Sequence, residues 1–303
     1  SLNWDKDDLE SQGFLKLDLL GLSTLSVISE CRRILRQKGV SLDLVSIPLD
    51  DAATYETISS GKTAALFQIM TPGATNYCRE LQPREFRDLA ALTALWRPGP
   101  IGAGMAKAYI EVKHGRIIPQ YLNDIHKTIV EDTRGQLIYQ EQITKLLELF
   151  AGFTVSEADK VRKIMGKSLG TAQIAQYESK FVSGCVEKGS LSKDDAKSLW
   201  DRLGQFSLYA FNATHATEYG LITYWTAYLK THYPTEYICA YLNCGSTGRE
   251  YEDSTNLDMV LRETDRLGVT ILPPDINESL DSWTVVSKNA LRAGLQEIRN
   301  VGE

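Results

Sequence analysis

The first residues in this chain whose types and spacing could do chemistry are Lys16 and Asp18, two positions apart in the leucine-rich stretch GFLKLDLLGL, Gly13 to Leu22. Alternate side chains of an extended strand share a face. This spacing therefore predicts Leu15, Leu17 and Leu19 pointing into a core, and Lys16 and Asp18 pointing together the other way. A carboxylate fixed on a strand can hold a divalent cation, and a lysine beside it can neutralise phosphate, a pairing suited to phosphoryl chemistry. The same residues also make a half-buried edge strand with a solvated Lys and Asp, and the pair alone leaves both readings open.

A second candidate is ADKVRKIMGKS, with Lys160, Arg162, Lys163 and Lys167 against Asp159 as its only acid. On a helix, Lys160, Lys163 and Lys167 follow one face and Arg162 lies to one side. Such an edge can clamp a triphosphate, Arg as a fork and Lys as a point charge. It can equally be a solvated helix face whose basic last turn suits the helix dipole. In FNATHATEYGLITYWTAYLKTHYP, Asn212 is a good helix cap and His215 falls in the first turn, where a ring can meet a nucleotide or be satisfied locally. Ile222, Trp225 and Leu229 behind it read as a packing stripe. Gly61-Lys62-Thr63 and Gly166-Lys167-Ser168 imitate the end of a phosphate-binding P-loop. Glu56 and Val161 stand where a further Gly is required, and neither string follows a strand and opens a helix, which excludes a P-loop ATPase.

The elements that must position these residues are mostly helices. SVISECRRILRQKG has helical spacing with a Lys38-Gly39 stop, and helical patterns then dominate to about residue 268. EFRDLAALTALW ends at the Arg97-Pro-Gly-Pro breaker, and Pro98 to Gly104 reads as an ordered turn. Thr154 and Glu157 form a capping box opening a helix to about Lys167. Further helices are predicted at Thr171 to Lys188, Lys193 to Leu203, His215 to Thr231, Thr235 to Cys244 and Asn256 to Leu267. VTILPPDIN and SWTVVSKNALRAGL then read as short strands, since Pro273-Pro274 forbids a helix through it.

At 303 residues the chain can bury a sizeable core, and its 43% hydrophobic and 24% charged composition is that of ordinary soluble material. Its longest apolar runs fall well short of the roughly 18 residues that cross a membrane. The net charge of −6 limits any nucleic-acid contact to local basic clusters. Five cysteines with no C-x-x-C pair argue against zinc or a disulfide framework and fit a reducing cytoplasm. Ser at position 1 and the unpunctuated IRNVGE at the end read as a piece cut from a longer polypeptide.

Taken together, FLKLDLLGL, ALFQIMTPG, LQPREFRDLAALTALWRPGPI, YIEVKHG, IYQEQI, AGFTVSEADKVRKIMGK, FNATHATEYGLITYWTAYLKTHYPTEY and ILPPDIN resemble, in order and nearly end to end, the C-family replicative DNA polymerases, the family of the alpha subunit of bacterial DNA polymerase III. The resemblance implies a mainly α fold with a few short strands. Residues 1–23 would be the last strand of the palm and 24–303 the fingers, ending before a helix-hairpin-helix element. On that reading Asp18 matches the third catalytic and metal-binding aspartate, and Lys16 a lysine directed at the nucleotide phosphates. Arg162 and Lys163 match a basic pair facing the incoming triphosphate, with Lys167 on the same edge, although the family commonly has Arg at both positions of the pair. Arg97 stands in a turn that resembles part of the nucleotide-binding wall, and His215 falls near the nascent base pair. Ala213 and Thr214 replace the Lys-Ser usual before that His, so one cation is missing.

The family's P-D-x-D-x-D-F string, with two further aspartates, occurs nowhere in the chain. Two-metal chemistry with Mg²⁺ needs several carboxylates, so the site would be completed by aspartates outside this chain, and the chain alone is expected to be inactive. Primer-template DNA, deoxynucleoside triphosphates and the remainder of the subunit are the implied partners. A sliding clamp and other replisome subunits would bind through other regions, with no membrane involved, in a bacterial cytoplasm. The alternative is a stand-alone helical module that binds nucleic acid or a partner without catalysis.

Overall fold

A computed structural model describes residues 4–15, 17, 20–167, 172–245 and 254–301. The described elements are α1 (Lys6–Ser11), α2 (Ser23–Gln37), α3 (Ala52–Ser59), α4 (Pro72–Leu81), α5 (Phe86–Leu95), α6 (Pro98–Gly102), α7 (Met105–Lys113), α8 (Asp124–Val130), α9 (Gln140–Ala151), α10 (Val155–Lys167), α11 (Ala172–Glu187), α12 (Lys193–Ser207), α13 (Ala213–His232), α14 (Pro234–Gly245) and α15 (Ser254–Arg266). Three short strands follow, β1 (Thr270–Leu272), β2 (Thr284–Ser287) and β3 (Ala290–Arg292). β3 lies between the others, parallel to β1 and antiparallel to β2. The mainly α expectation with late strands is met. No helix among the described residues is long and apolar enough to cross a membrane.

Apolar side chains sort into two cores. The first is built from α2 to α5, α7, α13 and α14, with Val269 and Leu291 reaching in from the sheet region. The second is built from α8 to α12. On α12, Ala196, Leu199, Trp200, Leu203 and Phe206 recur at helical spacing and are all buried, while Ser192 caps the helix by accepting the Asp195 N–H. α13 crosses α5 in the first core. Gly220 permits this, because a Cβ there would sit 3.2 Å from the Ala90 backbone nitrogen. A charged staple joins the cores: Asp88 of α5, fully buried, pairs with Lys113 at 2.9 Å and with Arg134, beyond α8, at 3.0 Å. Tyr109 donates to the same carboxylate at 3.2 Å.

Two expectations need correction. The described residues of Phe14 to Leu22 form no strand, and Leu15 and Leu17, expected inside, are 81% and 75% exposed. A strand needs a neighbour for its backbone ladder, and none of the described residues supplies one. The Arg97-Pro-Gly-Pro breaker is a turn of helix, α6, because Pro98 occupies the first helical position, where its missing N–H costs nothing. The packing stripe of α13 is met, with Leu229 buried and Ile222 and Trp225 partly buried against the first core; the deepest face carries Gly220, Thr223, Tyr224 and Ala227, since the helix is packed by α3, α5 and α14 on several sides.

Candidate nucleotide-binding site

The loop joining α12 to α13, residues 208–212, is gripped from both cores. From the first, Arg97 donates from Nε to the Ala94 carbonyl at 2.8 Å and from Nη2 to the Tyr209 carbonyl at 2.7 Å. Arg97 is extended, as a residue before proline must be, which aims its side chain across the turn. The Tyr209 ring lies against Gly99, where a Cβ would be 2.6 Å from the ring. From the other side, Phe211 donates to the carbonyl of Ile138, a first-core residue, at 3.1 Å, and Gln140, the first residue of α9 in the second core, donates back to the Phe211 carbonyl at 2.8 Å, a single parallel bridge between Tyr139 and Phe211.

This grip sets up a row of rings. The Arg97 guanidinium lies 4.4 Å from the Phe211 ring centre. Phe211 is 5.3 Å from His215, His215 4.0 Å from Tyr219, and Tyr219 5.3 Å from Phe67. His215 and Tyr219 share a face of α13 at i, i+4, and Asn212 caps that helix by accepting the His215 N–H at 2.8 Å. All four rings are half-buried. Burial lowers the Arg97 pKa, yet a guanidinium stays charged, and no carboxylate among the described residues pairs with it. A cation over a row of half-exposed rings suits a planar base next to an anionic group.

Phe67 is presented by a strained loop. Ala65 and Gln68 both adopt left-handed conformations, at φ 62° and 61°, which cost of order 1–3 kcal/mol each without glycine. The loop is pinned from α13, α14 and α15. Lys230, completely buried, donates to the Lys62 and Ala64 carbonyls at 2.8 Å each and pairs with the buried Glu263 at 2.8 Å. Tyr237 donates to the Ala65 carbonyl at 2.6 Å, and Thr226 accepts the Phe67 N–H at 3.3 Å. Burial pushes the Lys230 ammonium down to about 8 although Glu263 favours its charge. Gln68 is thereby left exposed beside Phe67.

The cationic edge of α10 is partly self-neutralised. Arg162 donates through Nε and Nη2 to Asp159 at 3.2 and 2.7 Å, and Lys163 reaches the other oxygen at 2.8 Å. Lys163 and then Arg162, by these hydrogen bonds, hold the Asp159 carboxyl below its usual value. Arg162 also donates to Gln140 at 2.9 Å, and Gln140 in turn bonds the Ala210 carbonyl at 3.3 Å. Thr154 caps this helix by accepting the Glu157 N–H at 3.3 Å.

Of the residues singled out by sequence, the structure brings Arg97 and His215 together around Phe211 and links Arg162 to the same loop through Gln140. Lys163 lies beside Arg162 and is largely exposed. Lys16, Asp18 and the side chain of Lys167 lie outside the described residues. Among the described residues no three His, Cys, Asp or Glu side chains could together hold a metal ion. Sequence reasoning missed Phe67, Gln68, Phe211, Tyr219 and Gln140. The i, i+4 spacing of Phe211, His215 and Tyr219 was a visible signal; the arrival of Phe67 from a distant loop left none.

The family model described as the bacterial DNA polymerase III alpha subunit finger domain matches residues 24–189. Three curated proteins, each called DNA polymerase III subunit alpha, are similar over 99% of this chain. The one from Aquifex aeolicus is 36% identical over 301 residues, that from Thermus aquaticus 38% over 306 and that from Mycobacterium tuberculosis 38% over 307. The matched part is 25%, 24% and 25% of those proteins, so the chain spans about a quarter of their length. More than half of the chain fits one family model, with the elements that grip the 208–212 loop from both sides inside it, and the chain belongs to the bacterial DNA polymerase III alpha subunit finger family.

Proposed function

We propose that the chain is the fingers part, residues 24–303, of a replicative DNA polymerase alpha subunit, preceded by the end of the palm in residues 1–23, and that the row from Arg97 to Phe67 binds the incoming deoxynucleoside triphosphate and the nascent base pair. The observation that carries this reading is the unneutralised Arg97 guanidinium stacked on Phe211 beside His215, since one end of the row offers charge and the rest offers ring faces. Arg162 and Lys163 act at the triphosphate end, where a phosphate would compete with Asp159 for the Arg162 fork.

Mg²⁺ supplies Lewis-acid chemistry at the primer hydroxyl and triphosphate in such enzymes. The described residues alone form no site for it, so Asp18, with Lys16 beside it, is assigned one carboxylate of a set completed by aspartates outside this chain. Primer-template DNA and the rest of the subunit are the partners of this reading, with the clamp and other replisome subunits bound elsewhere on the polypeptide, in the bacterial cytoplasm.

The test is primer extension by a complete subunit containing this chain, with Arg97→Lys and His215→Ala made singly. Loss of a charged hydrogen-bonding or stacking contact raises the nucleotide KM by about 10- to 100-fold for Arg97→Lys and by about 5- to 100-fold for His215→Ala. Unchanged nucleotide KM in both variants would refute the assignment.

A further inference from the structure

A cavity of about 410 Å³ opens between α4, the turn after α3 and α15, lined in part by Thr63, Arg79, Asp258, Arg262, Glu263 and Arg266. Three guanidinium groups share this space in a chain whose net charge is −6. Of the two acids lining it, Glu263 is committed to the buried Lys230 ammonium. Arg262 makes no ion pair with a described residue, and Arg266 reaches Glu263 only at 3.7 Å. Arg262 and Arg266 lie at i, i+4 on α15, where like charges repel, so the helix tolerates a local cost that a shared anion would relieve.

The third guanidinium is fixed in advance. Arg79 donates from Nε to the Ser60 carbonyl at 3.4 Å and from Nη1 to Asn76 at 3.1 Å. It lies flat on Gly61, at φ 79°, where any Cβ would overlap the guanidinium. A fork fixed in advance, facing two exposed guanidinium groups, suits a phosphate, because at Arg79 little ordering remains for the ligand to impose.

We infer that this cavity is a binding site for a phosphate-bearing ligand, held by Arg79, Arg262 and Arg266 and separate from the row at Arg97. The same chemistry is offered by a free polyphosphate and by a nucleic-acid backbone. The inference stands apart from the polymerase reading, since no residue of the row lines the cavity.

Isothermal titration of the chain with inorganic pyrophosphate, and separately with a duplex oligonucleotide lacking terminal phosphates, distinguishes the two sources. Binding of either probe that weakens about 10- to 100-fold in Arg262→Gln/Arg266→Gln supports the site and names its source. That binding should survive Arg97→Lys, which separates it from the nucleotide site. Both α15 residues are exposed, so the double variant should keep the wild-type unfolding midpoint; Arg266→Gln alone, with a smaller loss of affinity, is the second variant. Absence of binding by both probes, or affinity unchanged in the α15 variants, would overturn the inference.

Discussion

Lys230→Met removes a charge from the interior and should show how the strained loop is held. The ammonium bonds two carbonyls and one carboxylate, each at 2.8 Å, and both it and Glu263 are buried. Without it, Glu263 keeps, among the described residues, only Arg266 at 3.7 Å, a group that is 72% exposed. Removing one member of a buried pair costs about 3–5 kcal/mol, because the remaining charge is neither solvated nor matched. Removing both, as in Lys230→Met/Glu263→Leu, should cost less than the single change, since an apolar replacement of a buried pair is often close to neutral. Chemical denaturation at pH 7 followed by helical signal measures both variants, and hydrogen exchange at the Phe67 amide reports the loop itself. A loss under about 1 kcal/mol for Lys230→Met, or strict additivity of the two substitutions, would show that the pair does not hold the loop.

Gly184→Ala should destabilise the second core by about 1–3 kcal/mol despite the better helix propensity of alanine, because its Cβ would overlap the Ala151 carbonyl oxygen at the end of α9; the unfolding midpoint reads this directly. Stability should fall on the alkaline side. Burial raises Cys78 and Cys239 to about 12 and lifts Cys31, Tyr77 and Tyr237 as well, so the native state keeps protons that the unfolded chain releases from about pH 8.5 for thiols and about 10 for phenols. Their contribution is whole below about pH 8.5 and is lost as the pH rises toward 12. Lys230, lowered to about 8, works in the opposite direction between about pH 8 and 10.4, as one group against several. A flat unfolding midpoint from pH 8 to 11 would contradict this balance.

The helices were legible because period and punctuation coincide. Asn212, Thr154 and the Lys38-Gly39 stop each mark an observed boundary, and the short strands after Pro273-Pro274 follow from residues that cannot be helical. The segment around Leu15 and Leu17 was misread because alternation records a preference for a sheet face without recording whether a partner strand is present. The site was half legible. Arg97, Arg162 and His215 stand out by type, whereas Phe67 and Gln68 come to the site through a loop whose shape depends on Lys230, Thr226 and Tyr237, each about 160 or more positions away. Local sequence carries no trace of a left-handed Ala65 that distant side chains enforce. The α10 edge stayed open between a triphosphate clamp and a solvated face, because helical spacing shows that Asp159 can reach Arg162 at i, i+3 without showing that it does, at 2.7 Å.

The grip on residues 208–212 has a mechanical consequence. Arg97 stands just after α5 of the first core and Gln140 opens α9 of the second, and both hold the backbone within three consecutive residues, Tyr209 to Phe211. By its connections such a segment is a tie rod: any rotation of α9 against α5 would have to carry the backbone of Phe211 with it, and so the end of the ring row. Packing changes buried deep in α9 or α5 therefore have a short route to the ring row, even where they touch none of its residues.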